Sequence, residues 1–302
     1  MSSLSVGTAA FSGFSIIAKR PWLLLAWALM FLGAFILVAI IFGILAAISG
    51  IGAFAGMTPE AARDPAAMAA MFMPLIPAYI VMLLLMMFVG SVFTAAVYRA
   101  VIEPGKVGFA YTQIGGDELR QFGASLAIGI PMMIAYIIVG LVFALLGGLV
   151  GAVTAPAFGA LIVVVGVFAV MTFLMVRFSL AGPQTFGDHR LNLTGTWALT
   201  RGHFWSIFAA YLIPGLVLFG IFVAIFVIII AFIAGTVGIS AIQNLESNPG
   251  AVAGAALGMI GILLLFYFVV YPLLMVLSMT ATSAPPASVY KQLAQKGPEA
   301  VF

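Results

Sequence analysis

The 302-residue chain contains no cysteine and few charged residues. Without cysteine it can form no disulfide, no thiolate metal site and no cysteine nucleophile, and its redox compartment cannot be inferred. Asp, Glu, Lys and Arg make up 6% of the residues, whereas 65% are hydrophobic. A soluble domain carries about 25% charged residues. So few charges cannot cover a water-facing surface, and we expect an all-α integral membrane protein.

Ionisable side chains are also missing from the middle of every long apolar stretch. Ion-coupled carriers and intramembrane hydrolases need such a group at membrane depth, so its absence weighs against both. The formal net charge of +3 rests on only eleven basic residues. We interpret it as loops facing acidic lipid headgroups, with no nucleic-acid partner.

Charged residues divide the apolar sequence into candidate membrane spans. Lys19 and Arg20 precede an uncharged run that continues to Glu60, which is too long for a cleaved signal peptide. The stretch between Arg120 and Arg177 is too long for one span and holds two, with a predicted turn through Gly147, Gly148, Gly151 and Pro156. We expect a single polytopic domain, residues 1–302, with six spans at about 22–48, 74–98, 122–146, 158–180, 205–234 and 252–279.

The basic residues predict the orientation. With these spans, every Lys and Arg except Arg63 falls on the side that holds both termini. The positive-inside rule therefore places the N- and C-termini in the cytoplasm.

A short pattern recurs at three span entrances, where a basic residue precedes an aromatic one. The instances are Arg20-Pro21-Trp22, Arg120-Gln121-Phe122 and Arg201-Gly202-His203-Phe204. We interpret it as three parallel helical hairpins, each preceded by a cytoplasmic interfacial segment. Interface chemistry alone, which favours Arg and aromatic residues at span ends, is the alternative.

Two of the interfacial segments have helical spacing. Residues 6–19 are predicted to form one amphipathic helix lying on the bilayer, and Trp197 is predicted to lie on another. Asp117 is expected to cap the helix of the third span. The residues expected to anchor the protein at the lipid interface are Arg20, Trp22, Arg99, Arg120, Arg177, Trp197, Arg201 and Trp205.

No cluster in the sequence has the composition of an active site. Asp188-His189-Arg190 offers too few ligands for zinc and is better explained as a polar turn. The chain is therefore expected not to be an enzyme and to carry no cofactor. A weaker alternative is a copper contact at Met68, Met71 and Met73, since thioethers bind Cu(I), although methionine is also a common core residue.

Glycines and prolines mark two further features. Gly250, Gly254 and Gly258, and also Gly147 and Gly151, form ridges that allow close helix packing, by default within the chain. Helix breaks are expected at Pro131, Pro214 and Pro272, where freed carbonyls can line a pathway.

One passage resembles a known family. Arg177, followed by Leu180-Ala181-x-Pro183, precedes the sequence Trp197-Ala-Leu-Thr-Arg-Gly-His-Phe-Trp205. It is similar to the YciC-like bacterial inner-membrane proteins and to the membrane domain of some glycerophosphodiester phosphodiesterases. Thr196-Trp197 stands where that family has a serine. The resemblance implies a bacterial inner-membrane location but no enzymatic activity, because the catalytic domain is missing and Leu191 follows His189-Arg190 where the His-Arg-Gly motif would need glycine.

The function expected from these features is non-catalytic. We expect a scaffold, an accessory subunit or a lipid-interacting envelope protein, whose partners are membrane lipids and either another membrane protein or a second copy. The alternative is a transporter or lipid-translocating protein, with a pathway between the three hairpins near Pro131, Pro214 and Pro272. A mitochondrial-type carrier is excluded, because Pro131 and Pro214 lack the acidic and basic residues of its repeat.

Overall fold

The computed structural model describes residues 4–50, 58, 63–105, 108–237, 258 and 260–294. These residues contain helices and no strand, and six of the helical stretches are long and apolar enough to cross a membrane. The prediction of an all-α, six-span membrane protein is confirmed at that level. The helices are α1 Val6–Ala10, α2 Ser12–Lys19, α3 Trp22–Ile48, α4 Pro65–Phe72, α5 Ile76–Ile102, α6 Gly116–Val153, α7 Pro156–Phe178, α8 Ala181–Gly187, α9 Thr194–Leu199, α10 Phe204–Val237 and α11 Tyr271–Ala294, with 3₁₀ turns at Met73–Leu75 and Phe109–Tyr111 and a π-helical turn at Phe266–Val270.

Local sequence explains where several helices begin. The Asp64 carboxylate accepts a hydrogen bond from the Ala66 amide at 2.9 Å, and Pro65 occupies the first position of α4. Pro156 likewise occupies the first position of α7. At the start of α6 the capping side chain is Glu118, which accepts from the Gly115 amide at 3.0 Å. The prediction that Asp117 is the N-cap is therefore wrong, and Asp117 lies in the first turn instead.

The turn between α6 and α7 is shorter than predicted. Gly147, Gly148 and Gly151 are helical, and only Thr154 and Ala155 separate the two helices. A Cβ atom on Gly147 would lie 2.5 Å from the Gly159 carbonyl oxygen of α7. Gly147 and Gly151 are thus explained by close backbone packing within the chain, whereas Gly148 has nothing within 4 Å of a Cβ position. In the second predicted glycine ridge, Gly250 and Gly254 lie outside the described residues, and Gly258 is exposed.

The last helix continues past its predicted end at residue 279. The beginning of that span, 252–257, lies outside the described residues, but α11 extends to Ala294 through Pro285 and Pro286. Both prolines are buried, so packing compensates for the lost helical hydrogen bonds. Pro272 follows the π-helical turn, whose extra residue relieves the clash of a proline ring with the preceding turn.

The N-terminal segment does not form one amphipathic helix on the bilayer. It breaks at Phe11 into α1 and α2, and its buried residues are Ala9, Ala10 and Gly13. These pack on the protein, since α1 contacts α10 and α11 while α2 lies against α11. A Cβ atom on Gly13 would lie 2.5 Å from the Thr280 carbonyl oxygen, which explains the need for glycine there.

The long helices pack unevenly. Helices α3, α5 and α11 contact one another around a core that includes Trp27, Phe93 and Val276. Helix α6 packs on α5, α7 packs on α6, and α10 packs on α11. Helices α7 and α10 meet where Val176 and Leu180 contact Ile207 and Ala210. Elsewhere they diverge, and the space between them is the largest cavity found among the described residues.

Candidate functional site: a lateral groove and the polar belt at its end

A cavity of about 980 Å³ separates helices α6 and α7 from helices α10 and α11. We call it the lateral groove. Several of its lining side chains are exposed at its rim, among them Met133, Met175 and Leu212, so the groove opens toward the surrounding lipid. Its lining includes Ser125, Gly129, Met132, Met133 and Tyr136 of α6, Met171, Thr172, Met175 and Val176 of α7, Ser179, Phe208, Tyr211 and Leu212 around α10, and Thr282 and Pro286 of α11.

Most of the groove's lining is apolar; Ser125, Ser179 and Tyr211 carry hydroxyl groups toward one end, and the Tyr136 hydroxyl lies toward the other. The Tyr211 hydroxyl donates to the Ser179 Oγ at 2.8 Å, and the Ser179 hydroxyl donates to the Val176 carbonyl at 2.8 Å. Along α6 the groove extends about 16 Å, from Ser125 to Tyr136, at 1.5 Å per residue. No Asp, Glu, Lys, Arg or His is among the described residues that line the groove. It therefore suits an apolar ligand that carries a few hydrogen-bonding groups at one end.

A second cavity, of about 370 Å³, lies between α10 and α11 and includes Phe219, Phe226 and Tyr271 in its lining. At 100° per residue, Phe219 and Phe226 share the face of α10 that carries Phe208 of the lateral groove. The two cavities therefore lie on one side of α10 at different depths.

The helix breaks predicted at Pro131 and Pro214 are wrong: α6 continues through Pro131 and α10 through Pro214, because a proline removes one helical hydrogen bond without having to end the helix. All three prolines nevertheless lie beside these cavities. Pro131 falls between the groove residues Gly129 and Met132, and Pro214 lies one turn beyond Tyr211. Pro272 follows Tyr271 of the second cavity. The prolines themselves line neither cavity.

The end of the bundle that holds the starts of α3, α6 and α10 and the ends of α5, α7 and α11 carries a polar belt. We define the polar belt as Arg99, Tyr111, Asp117, Glu118, Arg120, Arg177, Gln184, Asp188, His189, Thr196, Thr200 and Tyr290. Contacts among these residues join helices from all three sequential pairs of spans. The belt also ties Gln184 of α8 to Thr196 of α9, whose hydroxyl donates to the Gln184 Oε1 at 3.0 Å.

At the centre of the belt is a buried ion pair. Arg99 is 2% exposed, and its Nη2 lies 2.6 Å from the Glu118 Oε1, which belongs to a residue 1% exposed. Arg99 also donates to the Tyr111 carbonyl, and its guanidinium lies over the Phe186 ring at 5.5 Å. We expected Arg99 to reach lipid phosphates. The structure instead shows it held by protein groups, because a carboxylate from the next span lies within reach.

Asp117 lies in the first turn of α6, before the uncharged stretch that follows Arg120. It connects α6 to the turn after α8. It accepts hydrogen bonds from Arg120 and from the His189 Nδ1, the latter at 3.0 Å. Burial alone would raise the pKa of this carboxyl group. The hydrogen bonds and charges of His189 and Arg120 outweigh that effect and hold the pKa below its usual value.

Asp188, His189 and Arg190 form a polar turn after α8, as predicted. The Asp188 carboxylate accepts from the Tyr290 hydroxyl at 2.9 Å, which links the turn to α11. His189 adopts φ +51°, a left-handed backbone conformation. Within the described ranges, no three His, Asp or Glu side chains are grouped closely enough to hold a metal ion.

Of the other predicted anchors, Arg177 and Arg20 contact aromatic rings of the protein, whereas the tryptophans and Arg201 are exposed. Arg177 stacks on aromatic rings, with its guanidinium 4.9 Å from the Trp197 ring centroid and 5.3 Å from that of Phe173. Arg20 lies over the Tyr111 ring and donates to its hydroxyl. Trp22, Trp197 and Trp205 expose their rings, Trp205 to 75%, and Arg201 is exposed. Contact with lipid remains a prediction for these residues.

The three methionines do not share one helix face. Met68 and Met71 lie one turn apart on α4, whereas Met73 follows two positions later and is 65% exposed. Helical geometry places Met73 about 200° around from Met71. This arrangement gives no support to a three-thioether copper site.

Sequence reasoning missed the lateral groove and the ion pair between Arg99 and Glu118. A signal for the ion pair was present, because Arg99 ends one span and Glu118 is the carboxylate that opens the next. The groove depends on the spacing of α7 and α10, and a single sequence carries no pattern for that distance.

Three comparisons with known proteins were made. No protein-family model, no curated protein and no solved structure matches the chain.

Proposed function

We propose that the protein is a non-catalytic, lipid-interacting membrane protein whose lateral groove holds the acyl chain of a membrane lipid. The observation that carries the proposal is the groove itself. Its volume of about 980 Å³ is at the upper end of ligand pockets, which span about 300–1,000 Å³. Because its rim is exposed where the protein faces hydrocarbon, a lipid chain can enter from the side.

The polar groups of the groove support the same ligand. Tyr211 and Ser179 lie at the end nearest the polar belt, where the headgroup and ester region of a lipid would be expected. The apolar residues Met132 and Met171 lie farther from the belt, along α6 and α7. A chain with a polar group at one end matches this distribution.

The location and topology belong to the same proposal. We propose a bacterial inner membrane, both termini in the cytoplasm and three parallel hairpins, α3 with α5, α6 with α7 and α10 with α11. The packing of these sequential pairs and the basic residues gathered at one end support it. Membership of the YciC-like family rests on the Arg177–Trp205 passage alone.

The test is to fill the groove without altering the rest of the protein. Gly129 lines the groove, and a Cβ atom there would meet nothing within 4 Å, so Gly129→Trp should place an indole in the cavity. Gly140→Trp is the matched control, because Gly140 also lies on α6 with open space around it but is not part of the lining.

The readout is lipid retained in native mass spectrometry, together with cross-linking by a lipid whose acyl chain carries a diazirine. We expect Gly129→Trp to lose both signals and Gly140→Trp to keep them. Equal retention by the two variants would reject the groove as the lipid site. A bound protein in place of lipid would favour the scaffold or accessory-subunit role.

Lipid translocation is the second candidate. It is favoured by the position of Pro131, Pro214 and Pro272 beside two cavities on one side of α10, since a proline within a helix leaves a carbonyl of the preceding turn without its helical hydrogen bond. In proteoliposomes, flux of a labelled lipid should then exceed that of empty vesicles and fall in Gly129→Trp. Flux equal to that of empty vesicles would reject translocation and leave static lipid binding standing.

A further inference from the structure

A second polar site lies apart from the lateral groove, between the N-terminal helices and the ends of α5 and α11. It is a cavity of about 410 Å³ that we call the basic pocket. Three cations line it, Lys19, Arg20 and Lys291. They belong to the end of α2, the entrance of α3 and the end of α11, so the fold brings them together from distant parts of the sequence.

The rest of the lining is suited to an anion. Hydroxyl groups are contributed by Thr8, Ser12, Ser15, Ser288 and Tyr111. No Asp or Glu is among the described residues of the lining. The ion pairs found among the described residues include none to Lys19, Arg20 or Lys291. Three positive charges around one cavity, with no carboxylate among its described lining residues, create a positive potential that a negative ligand would neutralise.

Two of the cations are positioned by contacts that leave most of their donors available. The Lys291 ammonium donates to the Val101 carbonyl at 2.8 Å, and it has three donors in all. Arg20 donates to the Tyr111 hydroxyl, which in turn donates to the Pro104 carbonyl at 3.2 Å. A guanidinium has five donors. These contacts hold both heads at the wall of the pocket, where their remaining N–H groups can reach a ligand.

Capping of helix ends does not account for the pocket. Cations are favoured at helix C-termini, and the Val101 carbonyl that Lys291 contacts belongs to the last turn of α5. That contact uses one donor of one cation. Lys19 and Lys291 also lie in the last turns of α2 and α11, where a cation is favoured, but helix ends explain neither the Arg20 charge nor the convergence of three cations on one cavity.

We propose that the basic pocket binds a phosphate group, and the location of the pocket favours the headgroup of an acidic membrane lipid. The pocket opens beside Arg20 and Lys19, at the entrance of the first span, where headgroup phosphates lie. Basic pockets between spans are a known mode of acidic-lipid recognition. A free phosphate shares the chemistry, and the test separates the two sources. The proposal does not rest on the lateral groove.

The test uses the full-length protein in neutral detergent, titrated separately with short-chain phosphatidylglycerol, short-chain phosphatidylcholine and inorganic phosphate. The double variant Lys19→Gln/Lys291→Gln removes two cations, each a charge-assisted donor worth about tenfold in affinity. We therefore expect at least a tenfold weaker affinity for phosphatidylglycerol. Arg190→Gln is the control, because it removes an exposed positive charge that is not part of the lining.

A second variant guards against loss of folding. Ser15→Asp places a carboxylate at an exposed lining position and removes no cation. It should also weaken phosphatidylglycerol binding, with the melting midpoint unchanged. Strong binding of inorganic phosphate that both variants lose would assign the pocket to a soluble phosphate. Binding that neither variant changes, or that Arg190→Gln weakens equally, would overturn the proposal.

Discussion

The buried ion pair between Arg99 and Glu118 allows a sharp test of the fold. The perturbation is Glu118→Gln, which keeps the size of the side chain and removes its charge. Arg99 would then remain 2% exposed without its closest carboxylate. The amide oxygen of the substituted side chain can still accept from the Gly115 amide, so the start of α6 should be preserved.

The expected magnitude follows from the surrounding groups. Removing one partner of a buried ion pair costs about 3–5 kcal/mol, because an uncompensated charge stays buried. Here the Asp117 Oδ2 lies 3.9 Å from the Arg99 Nη2 and compensates in part. The contact with the Phe186 ring also remains. We therefore expect a loss near the lower limit, about 3 kcal/mol.

The assay is reversible unfolding in mixed micelles of increasing SDS content, followed by tryptophan fluorescence. Asp64→Asn is the matched control, since it removes the charge of an exposed capping carboxylate and Asn caps a helix as well as Asp. It should leave the free energy of unfolding unchanged. The double variant Arg99→Met/Glu118→Gln should lose less than the sum of its single variants. A loss below about 0.5 kcal/mol for Glu118→Gln would refute the buried pair, since that is the range of ordinary surface substitutions.

Three further predictions concern packing, acidity and topology. Gly147→Ala should lower the unfolding midpoint, because its Cβ would lie 2.5 Å from the Gly159 carbonyl oxygen. Gly148→Ala, whose Cβ would have nothing within 4 Å, should raise the free energy of unfolding by about 0.5–1 kcal/mol. Equal effects of the two variants would contradict the glycine contact. The lowered pKa of Asp117 means that its stabilisation is complete above the unfolded pKa and is lost as pH falls through the folded value. The difference in midpoint between the native protein and Asp117→Asn should therefore be present at pH 7 and shrink in acid, and a constant difference would contradict it. A green fluorescent protein fused after Phe302 should fluoresce in cells and alkaline phosphatase fused there should be inactive; the reverse result would reject the cytoplasmic C-terminus.

The six spans were predictable because charges interrupt the apolar sequence only near span ends. Arg20 lies two residues before the start of α3 and Arg177 lies in the last turn of α7, so the predicted and observed ends agree closely there. The same reasoning failed where packing overrides local propensity. Gly147 and Gly151 have the composition of a turn, yet they are helical because Gly159 of α7 packs against them. Pro285 and Pro286 have the composition of a helix end, yet they are buried inside α11.

The site was less predictable than the fold, because its features join residues far apart in the sequence. Glu118 could be recognised as a residue of a helix start, but not as the partner of Arg99, since that depends on how α6 packs on α5. The basic pocket joins Lys19 to Lys291 across almost the whole chain. Pro131 and Pro214 flank the lateral groove, but the helix breaks predicted there do not occur, because α6 and α10 continue through them.

The polar belt and the groove differ in chemistry. Each carboxylate of the belt is engaged, Glu118 by Arg99 and the Gly115 amide, Asp117 by His189 and Arg120, and Asp188 by Tyr290. The described lining of the groove holds hydroxyl groups and no carboxylate. The belt contacts therefore join α5, α6 and α11 to the segment between α7 and α10, whereas the groove presents a mainly apolar surface.

If the basic pocket binds the headgroup phosphate of an acidic lipid and the lateral groove binds an acyl chain, lipids of different class should distinguish the two sites. Lys19→Gln/Lys291→Gln should lose its preference for phosphatidylglycerol and still be cross-linked by a phosphatidylcholine carrying a diazirine chain. Gly129→Trp should show the opposite pattern, with headgroup affinity kept and chain cross-linking lost. The physical reason is that the described lining of the groove holds no ionisable group except tyrosine, whereas that of the pocket holds three cations. Loss of both signals in either variant would show that the two cavities act as one site.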